Sequence, residues 1–451
     1  MTTGRNLQGP FADPIRKHLE TARRQISQGQ LKQAALTLNQ AQRILPGDAR
    51  LFMLAALMAE KSGNKAGAFD AMRRCVNVAP NWGPGLLEMA LLQARHNQFA
   101  DAVQTAEKVA ALEPNNLQVL AGVIDIAHRA GAMEMAVTHL RRGLALVPND
   151  MELRRLLARD LSALGQHEEA LALWNGLVAE NPSNRYALEG RLDALMTAGL
   201  TTSAQAQADA DALVALQPDN PTYAYWQQLT QGQTPAQQPV ELSRELFDGM
   251  ADTYDMHMVG QLGYRLPKLV AEKIVQRHPD KQINVLDLGC GTGLLGVYLG
   301  RLNGFLIGVD VATKMVEQAA RHQVYDRFHT VNLHDALQAT PDSLYHVLTA
   351  LDVFIYAGDL TNALPNAQRI LLPGGVLYFS CEIAPEDGPD LVLQASGRYA
   401  HKRSHVEALC AQAGFEIEVE ELVLRREAGE PVQGLLITAH KPAAADSHPA
   451  A

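Results

Sequence analysis

Residues 283–296 read Ile-Asn-Val-Leu-Asp-Leu-Gly-Cys-Gly-Thr-Gly-Leu-Leu-Gly, a short apolar run, then closely spaced glycines, then a helix-forming stretch from Leu294. Glycines so placed permit a tight strand-to-helix turn and let a ligand approach bare backbone. Two ligand classes compete, because Gly291-x-Gly293-x-x-Gly296 also satisfies the dinucleotide-binding pattern. Asp287 stands two residues before the first glycine of the run, Gly289. A carboxylate there opposes a doubly anionic pyrophosphate and favours a ligand that carries positive charge, such as an ammonium beside a sulfonium.

The D-x-G-x-G-x-G segment resembles the first motif of class I S-adenosylmethionine-dependent methyltransferases. The rest of the second half falls into register with that family over about residues 242–441. The resemblance implies a Rossmann-like α/β domain with a seven-stranded mixed sheet. It also implies that S-adenosyl-L-methionine contacts Asp287, Gly289, Cys290, Gly291 and Gly293 at the turn. A second strand, Phe305–Val309, ends in Asp310, nineteen residues after Gly291. An acid at that place can accept hydrogen bonds from both ribose hydroxyls, a charge-assisted pairing worth roughly 1.5–3 kcal/mol. A third strand near Thr330–Leu333 leads to Asp335, where the family contacts the adenine amino group, and a fourth over Tyr345–Leu351 ends at Asp352. Pro373-Gly-Gly375 resembles the family's lead into strand five, and Phe415–Arg425 with Val432–His440 suits a closing antiparallel hairpin.

Upstream, Phe247-Asp-Gly-Met-Ala-Asp-Thr-Tyr-Asp-Met-His257 resembles the first helix of many small-molecule members, in which a tyrosine packs over the cofactor or meets its carboxylate; that role falls to Tyr254. No catalytic base is fixed by the resemblance. Tyr254, His257, Tyr356 and His401 are the candidates for substrate walls or proton acceptors. After strand four stands Ala350-Leu-Asp-Val-Phe354 in place of the Asn-Pro-Pro-Tyr-type motif of amine and amide methylators, and no acidic metal cluster is evident, so no metal is expected.

These residues need elements to hold them, and the preceding half is built differently. Prolines recur at 46, 80, 114, 148, 182 and 218, a period of 34 until the last interval of 36. Seventeen residues before the first five stand Gly29, Gly63, Asn97, Gly131 and Gly165, residue types that adopt the left-handed turn between two helices. Ala34, Ala68, Ala102, Ala136 and Ala170 follow each turn by five residues, small enough for paired helices to approach closely. A fixed period of this length signals a solenoid. The pattern resembles the tetratricopeptide repeat, about six copies over residues 13–230, an all-α superhelix whose concave face in that family receives a peptide or protein. Residues 231–241, polar with Pro235 and Pro239, are expected as a linker, and residues 442–451 as a disordered tail.

Composition bounds the partners. The 451 residues carry a formal net charge of −10, all of it after residue 230, where 17 Lys and Arg face 27 Asp and Glu. A nucleic-acid partner, which needs clustered cations, is disfavoured. Cys75, Cys290, Cys381 and Cys410 show no metal-ligand spacing. No signal-like or membrane-spanning apolar run occurs, and the expected location is the cytoplasm. The leading expectation is methyl transfer to an oxygen or nitrogen nucleophile on a protein, peptide or carrier-borne group recruited by the repeats. A small-molecule methyltransferase whose repeats serve assembly, and a cofactor-binding adaptor without turnover, are the alternatives. Asp310→Ala is expected to weaken S-adenosylmethionine binding at least tenfold, about 1.4 kcal/mol; unchanged calorimetric affinity would refute the strand-two assignment.

Overall fold

In the computed structural model, which describes residues 13–394, 396–427 and 429–443, the chain divides into two compact units after Leu200. Residues 444–451, most of the expected tail, lie outside the described residues.

The first unit is a stack of helix pairs: Arg16–Ser27 with Leu31–Ile44, Ala49–Lys61 with Lys65–Val78, Gly83–Arg95 with Phe99–Leu112, Leu117–Ala130 with Met133–Leu146, and Met151–Ala163 with His167–Glu180. Arg185–Thr197 follows them. The second helix of each of these pairs stops two residues before its proline, as expected where X-Pro disfavours the helical region. Gly29, Gly63, Asn97, Gly131 and Gly165 all take positive φ, between 60° and 79°. The five alanines after these turns are fully buried. In the sixth copy Gly199 turns the chain, but the next helix, Ala204–Leu216, starts only after Ser203 caps the amide of Ala206. The two additional residues therefore lie in the turn. It is at this loosened turn that the units divide, so Ala204–Leu216 and Pro221–Thr230 group with the α/β unit, although the sequence places the division at 231–241.

Helices of the α/β domain are numbered from α1 (Val240–Met250), followed by a π-helical turn (Met256–Gln261) and α2 (Leu266–Arg277). Then come β1 (Val285–Leu288), α3 (Leu294–Leu299), β2 (Leu306–Asp310), α4 (Thr313–Ala320), β3 (Arg327–Thr330), α5 (Leu333–Ala339), β4 (Tyr345–Ala350), α6 (Phe354–Ala357), α7 (Ala363–Ile370) and β5 (Leu371–Ala384). The chain ends in β6 (Leu391–Leu393), β7 (Tyr399–Lys402), α8 (Arg403–Gln412), β8 (Glu416–Glu427) and β9 (Glu430–His440). β1 pairs in parallel with β2 and β4, β2 with β3, and β4 with β5; β9 lies antiparallel between β5 and β8. The seven expected strands are thus present in the order 3-2-1-4-5-9-8. Helices cover both faces, which is why β1 is buried at all four positions and reads as a continuous apolar run around Asp287.

Two short strands add to the expected seven. Past Phe379, β5 outruns β4, and Glu382–Ala384 pair in parallel with β7, which carries β6 antiparallel on its far side. Leu-Val-Leu and Tyr-Ala-His-Lys are too short to show a strand period in sequence. The third strand lies three residues earlier than expected, because the Asn332 side chain accepts from the His334 amide and starts α5 there. Among the described residues no helix is long and apolar enough to cross a membrane.

In the repeat unit, a Cβ added at Gly190 would lie 2.2 Å from Cη2 of the buried Trp174 ring. Helix propensity favours Gly190→Ala by about 1 kcal/mol, whereas forcing a rigid buried indole aside costs about 1–3 kcal/mol. The substitution is expected to lower stability by about 1–2 kcal/mol in denaturant unfolding; a more stable variant would show that the ring has room to move.

Candidate active site

A cleft opens at the carboxyl ends of β1, β2, β3 and β4, where an open parallel sheet leaves its crevice. Its floor is the turn after β1, with Gly289 and Gly291 on the surface of the cleft. Asp310 and Val311 follow β2, Val331–His334 follow β3, and Leu351, Asp352, Val353, Tyr356 and Ala357 follow β4. The roof comes from the segment before the sheet: Gln237, Gln238, Val240, Ser243, Phe247 and Tyr254. Phe247 packs edge-on against both Tyr254 and Tyr356, with ring centroids 6.3 and 5.2 Å apart, and so joins roof to floor.

Each glycine of the turn answers a different demand. A Cβ at Gly289 would strike Val353 at 2.2 Å, and one at Gly296 would strike the Tyr325 ring at 2.3 Å. Gly293 has a φ of 85° and faces Ala319 and Tyr325. At Gly291 the nearest atom is Cε1 of Tyr254, 4.0 Å away, so this position alone of the four keeps bare backbone toward the cleft. Its N–H donates to Asp310 Oδ2 (2.8 Å), and the Ala312 N–H donates to Oδ1 (2.9 Å). Each oxygen keeps a further lone-pair site for a ligand hydroxyl. Burial raises the Asp310 carboxyl above the usual range, while the three amides that bond it pull the other way.

A family model for a methyltransferase domain matches residues 286–377, and one for the tetratricopeptide repeat matches 87–150 and 155–221. The chain joins tetratricopeptide repeats to a methyltransferase domain. Over 148 residues it is 26% identical to the ubiquinone biosynthesis O-methyltransferase of Hydrogenovibrio crunogenus, covering 32% of this chain and 60% of that one. Over 153 residues it is 25% identical to the human mitochondrial protein of the same name, covering 31% and 40%. The chain thus spans less than two thirds of the length of either relative. Among solved structures, the [4+2]-cyclase SpnF is similar at 18% identity and a TM-score of 0.39, covering 46% of this chain and 98% of that one. The tetratricopeptide protein YrrB is similar at 15% identity and 0.36, covering 42% and 96%.

The methyltransferase domain is of the S-adenosylmethionine-dependent kind, and the cleft suits that cofactor. A carboxylate with spare acceptor sites, Asp310, stands beside an apolar slot of Met315, Val331 and Leu333. His334, which also lines the cleft, keeps Nε2 buried without a hydrogen-bond partner, and burial lowers its pKa, leaving a neutral imidazole able to serve a heterocycle edge. Tyr254 covers the turn at Gly291, and Asp352 lies on the other side of it.

Of the residues expected at the site, Gly289, Gly291, Asp310, Asp352, Tyr254 and Tyr356 line the cleft. The others do not. Asp287 is 3% exposed and points beneath the turn, where Oδ2 accepts from the Tyr325 hydroxyl and Oδ1 from the Thr349 hydroxyl, both at 2.7 Å. It supports the turn and makes no contact with the cleft. The Cys290 side chain is buried against Gly308 of β2, its thiol pushed far up by desolvation. Gly293 caps α3. Asp335 is exposed on the outer side of α5, and Asn332, Leu333 and His334 take the place expected for it. His257 is exposed on the π-helical turn, away from the cleft. His401 is fully buried on β7, its Nε2 bonded to the Gly358 carbonyl at 2.7 Å and its pKa lowered by burial. Neither histidine is placed to take a proton from a substrate. Sequence reasoning missed Phe247, His334 and the wall formed by Gln237 and Gln238, which lie inside the stretch that its prolines mark as linker.

Burial raises the Asp287 pKa to about 6 against its two hydroxyl bonds. An unfolded aspartate titrates near ~3.9, so this group's contribution is fully present below that value and is lost as pH rises through about 6. Asp287→Asn, which cannot ionise, is expected to gain stability relative to the parent by up to about 3 kcal/mol between pH ~4 and ~6 and to hold that gain above. Unfolding midpoints of both proteins across this range test it; a difference independent of pH would overturn it.

Proposed function

We propose that the protein is an S-adenosylmethionine-dependent methyltransferase acting on an oxygen or nitrogen nucleophile, and that its repeats recruit a protein, peptide or carrier-borne substrate. The observation that carries the reading is the Asp310 carboxylate, fixed by the Gly291 and Ala312 amides at the rim of a cleft with one stretch of bare backbone. Asp310 accepts the ribose hydroxyls, the Met315–Val331–Leu333 slot takes the adenine with His334 at its edge, and Tyr254 and Asp352 hold the amino acid end.

When bound, the cofactor supplies an activated methyl on a sulfonium, so the protein's task is to align a nucleophile about 3–3.5 Å from it and keep water out. Phe247 and Tyr356 close the acceptor side. Burial raises both the Tyr254 and Tyr356 phenols, the nearby Arg398 opposing it at Tyr356, so neither hydroxyl ionises at neutral pH and each acts as a hydrogen-bonding wall. For recruitment, the first helices of the first three repeats form a groove with an apolar floor of Leu54, Leu57, Leu87 and Leu91, rimmed by Arg23, Glu60 and Glu88.

A small-molecule O-methyltransferase is the second reading, favoured by the likeness to ubiquinone biosynthesis O-methyltransferases over about a third of the chain. Incubation of the purified protein with methyl-labelled cofactor and cell extract separates the two. Label entering macromolecules, and lost when residues 1–200 are removed at the boundary between the units, supports recruitment. Label in small molecules, with full activity after that deletion, supports the second reading, and no label in either class leaves the non-catalytic adaptor.

A further inference from the structure

β8 breaks its own alternation. A bulge between Val423 and Arg425 in the pairing with β9 turns two consecutive side chains inward, Leu424 at 1% and Arg425 at 3% exposure. Bulges of this kind re-aim a side chain beside functional sites. Here the guanidinium is delivered to a cluster of carboxylates from three different elements. Arg425 Nη1 donates to Asp352 Oδ2 at 2.7 Å, Nη2 donates to Glu382 of β5, and Nε donates to Glu427 Oε1 at 2.7 Å. Arg398, from the turn between β6 and β7, bonds Glu382 at 2.8 Å and both oxygens of Glu427 at 2.7 Å.

Asp352 is the member of this cluster that reaches the cleft, and its backbone is in the left-handed region, with a φ of 54°. A non-glycine residue persists there only where its surroundings over-determine it. The surroundings do so from two sides. The Ser380 hydroxyl oxygen accepts the Asp352 N–H at 2.8 Å, and the hydroxyl donates to Oδ1 at 2.9 Å, while Arg425 holds Oδ2. Both oxygens are thereby oriented, each with acceptor capacity left.

We propose that Arg425 is a positioning residue: delivered by the β8 bulge, it fixes the Asp352 carboxylate for a cationic group of the cofactor. The inference rests on the reading of the cleft as an S-adenosylmethionine site. A buried ion pair adds little net stability compared with apolar packing, so its placement on a strained residue at the cleft wall points to orientation of that carboxylate. A merely structural bolt and a positioning residue differ in one measurable respect, the dependence of the effect on Asp352.

The test is a double-mutant cycle on the full chain, with S-adenosylmethionine affinity read by calorimetry and folding read by the unfolding midpoint. Arg425→Met is expected to weaken binding at least tenfold alone and less than twofold in an Asp352→Ala background. Equal losses in both backgrounds, or unchanged affinity of the single variant, would overturn the proposal. Should Arg425→Met not fold, Ser380→Ala releases the same carboxylate from its other side and is expected to behave alike, several-fold weaker alone and neutral with Asp352→Ala. Absence of binding by the parent protein refutes the cofactor reading and with it this inference, whereas binding with additive losses refutes the inference alone.

Discussion

A carboxylate buried beneath a turn of glycines must find its hydrogen bonds inside the protein, and the α/β domain is arranged around meeting that demand at Asp287. Stripped of water, an aspartate is tolerable only when its oxygens are paired. Thr349 supplies one hydroxyl from β4, and Tyr325 supplies the other from the chain just before β3. The first bond ties the neighbouring strands β1 and β4 together near their carboxyl ends, and the second ties β1 to the segment that leads into β3. The Tyr325 oxygen also accepts the Gly296 N–H at 3.2 Å, tying the first turn of α3 to the same group. Its ring fills the space that side chains at Gly293 and Gly296 would need. The glycine spacing is therefore set as much by a tyrosine underneath as by a ligand above.

With the floor so fixed, the roof has to come from elsewhere in the chain, and it comes from the residues that connect the repeats to the sheet. Gln237 and Gln238 line the cleft, and just before them the Ala236 carbonyl accepts the Asp359 N–H at 2.7 Å. That approach is close enough to need the bare Gly358, where a Cβ would meet the same carbonyl oxygen at 2.2 Å. The connecting segment is thus bound at Ala236 to the chain that follows α6. Because Ala204–Leu216 and Pro221–Thr230 group with the α/β domain, the two helices before the connecting segment and the roof of the cleft belong to one compact unit.

What could be read from the sequence follows from this division of labour. The repeat period is visible because five units pose the same steric problem, a left-handed turn and a close helix contact, and solve it with Gly or Asn and Ala at constant spacing. Asp310 is legible because it sits where β2 ends, at a fixed distance along the chain from Gly291. The charge of Asp287 is plain in the sequence, but charge does not tell on which side of a turn a side chain lies. Asp335 stands where the resemblance puts the adenine contact, whereas Asn332, which caps α5 by accepting the His334 amide, lines the cleft together with His334. Residues 231–241 carry the prolines and glutamines of a spacer, and nothing local distinguishes a polar segment in solvent from one that covers a cleft. Arg425 depends on a bulge between two strands, which no single-strand pattern announces.

The same electrostatics limits what chemistry the cleft can perform. Three carboxylates, Asp352, Glu382 and Glu427, surround two guanidiniums, so the cluster retains a formal negative charge beside a cleft that also holds Asp310. Such a field favours a cation and opposes an anionic acceptor. Among the titratable groups lining the cleft, Tyr254 and Tyr356 are held in their neutral forms by burial, and Asp352 is bound to Arg425 and Ser380. The cleft therefore has to work by alignment and exclusion of water, and the acceptor that suits it is one whose nucleophilic lone pair needs little help to become available.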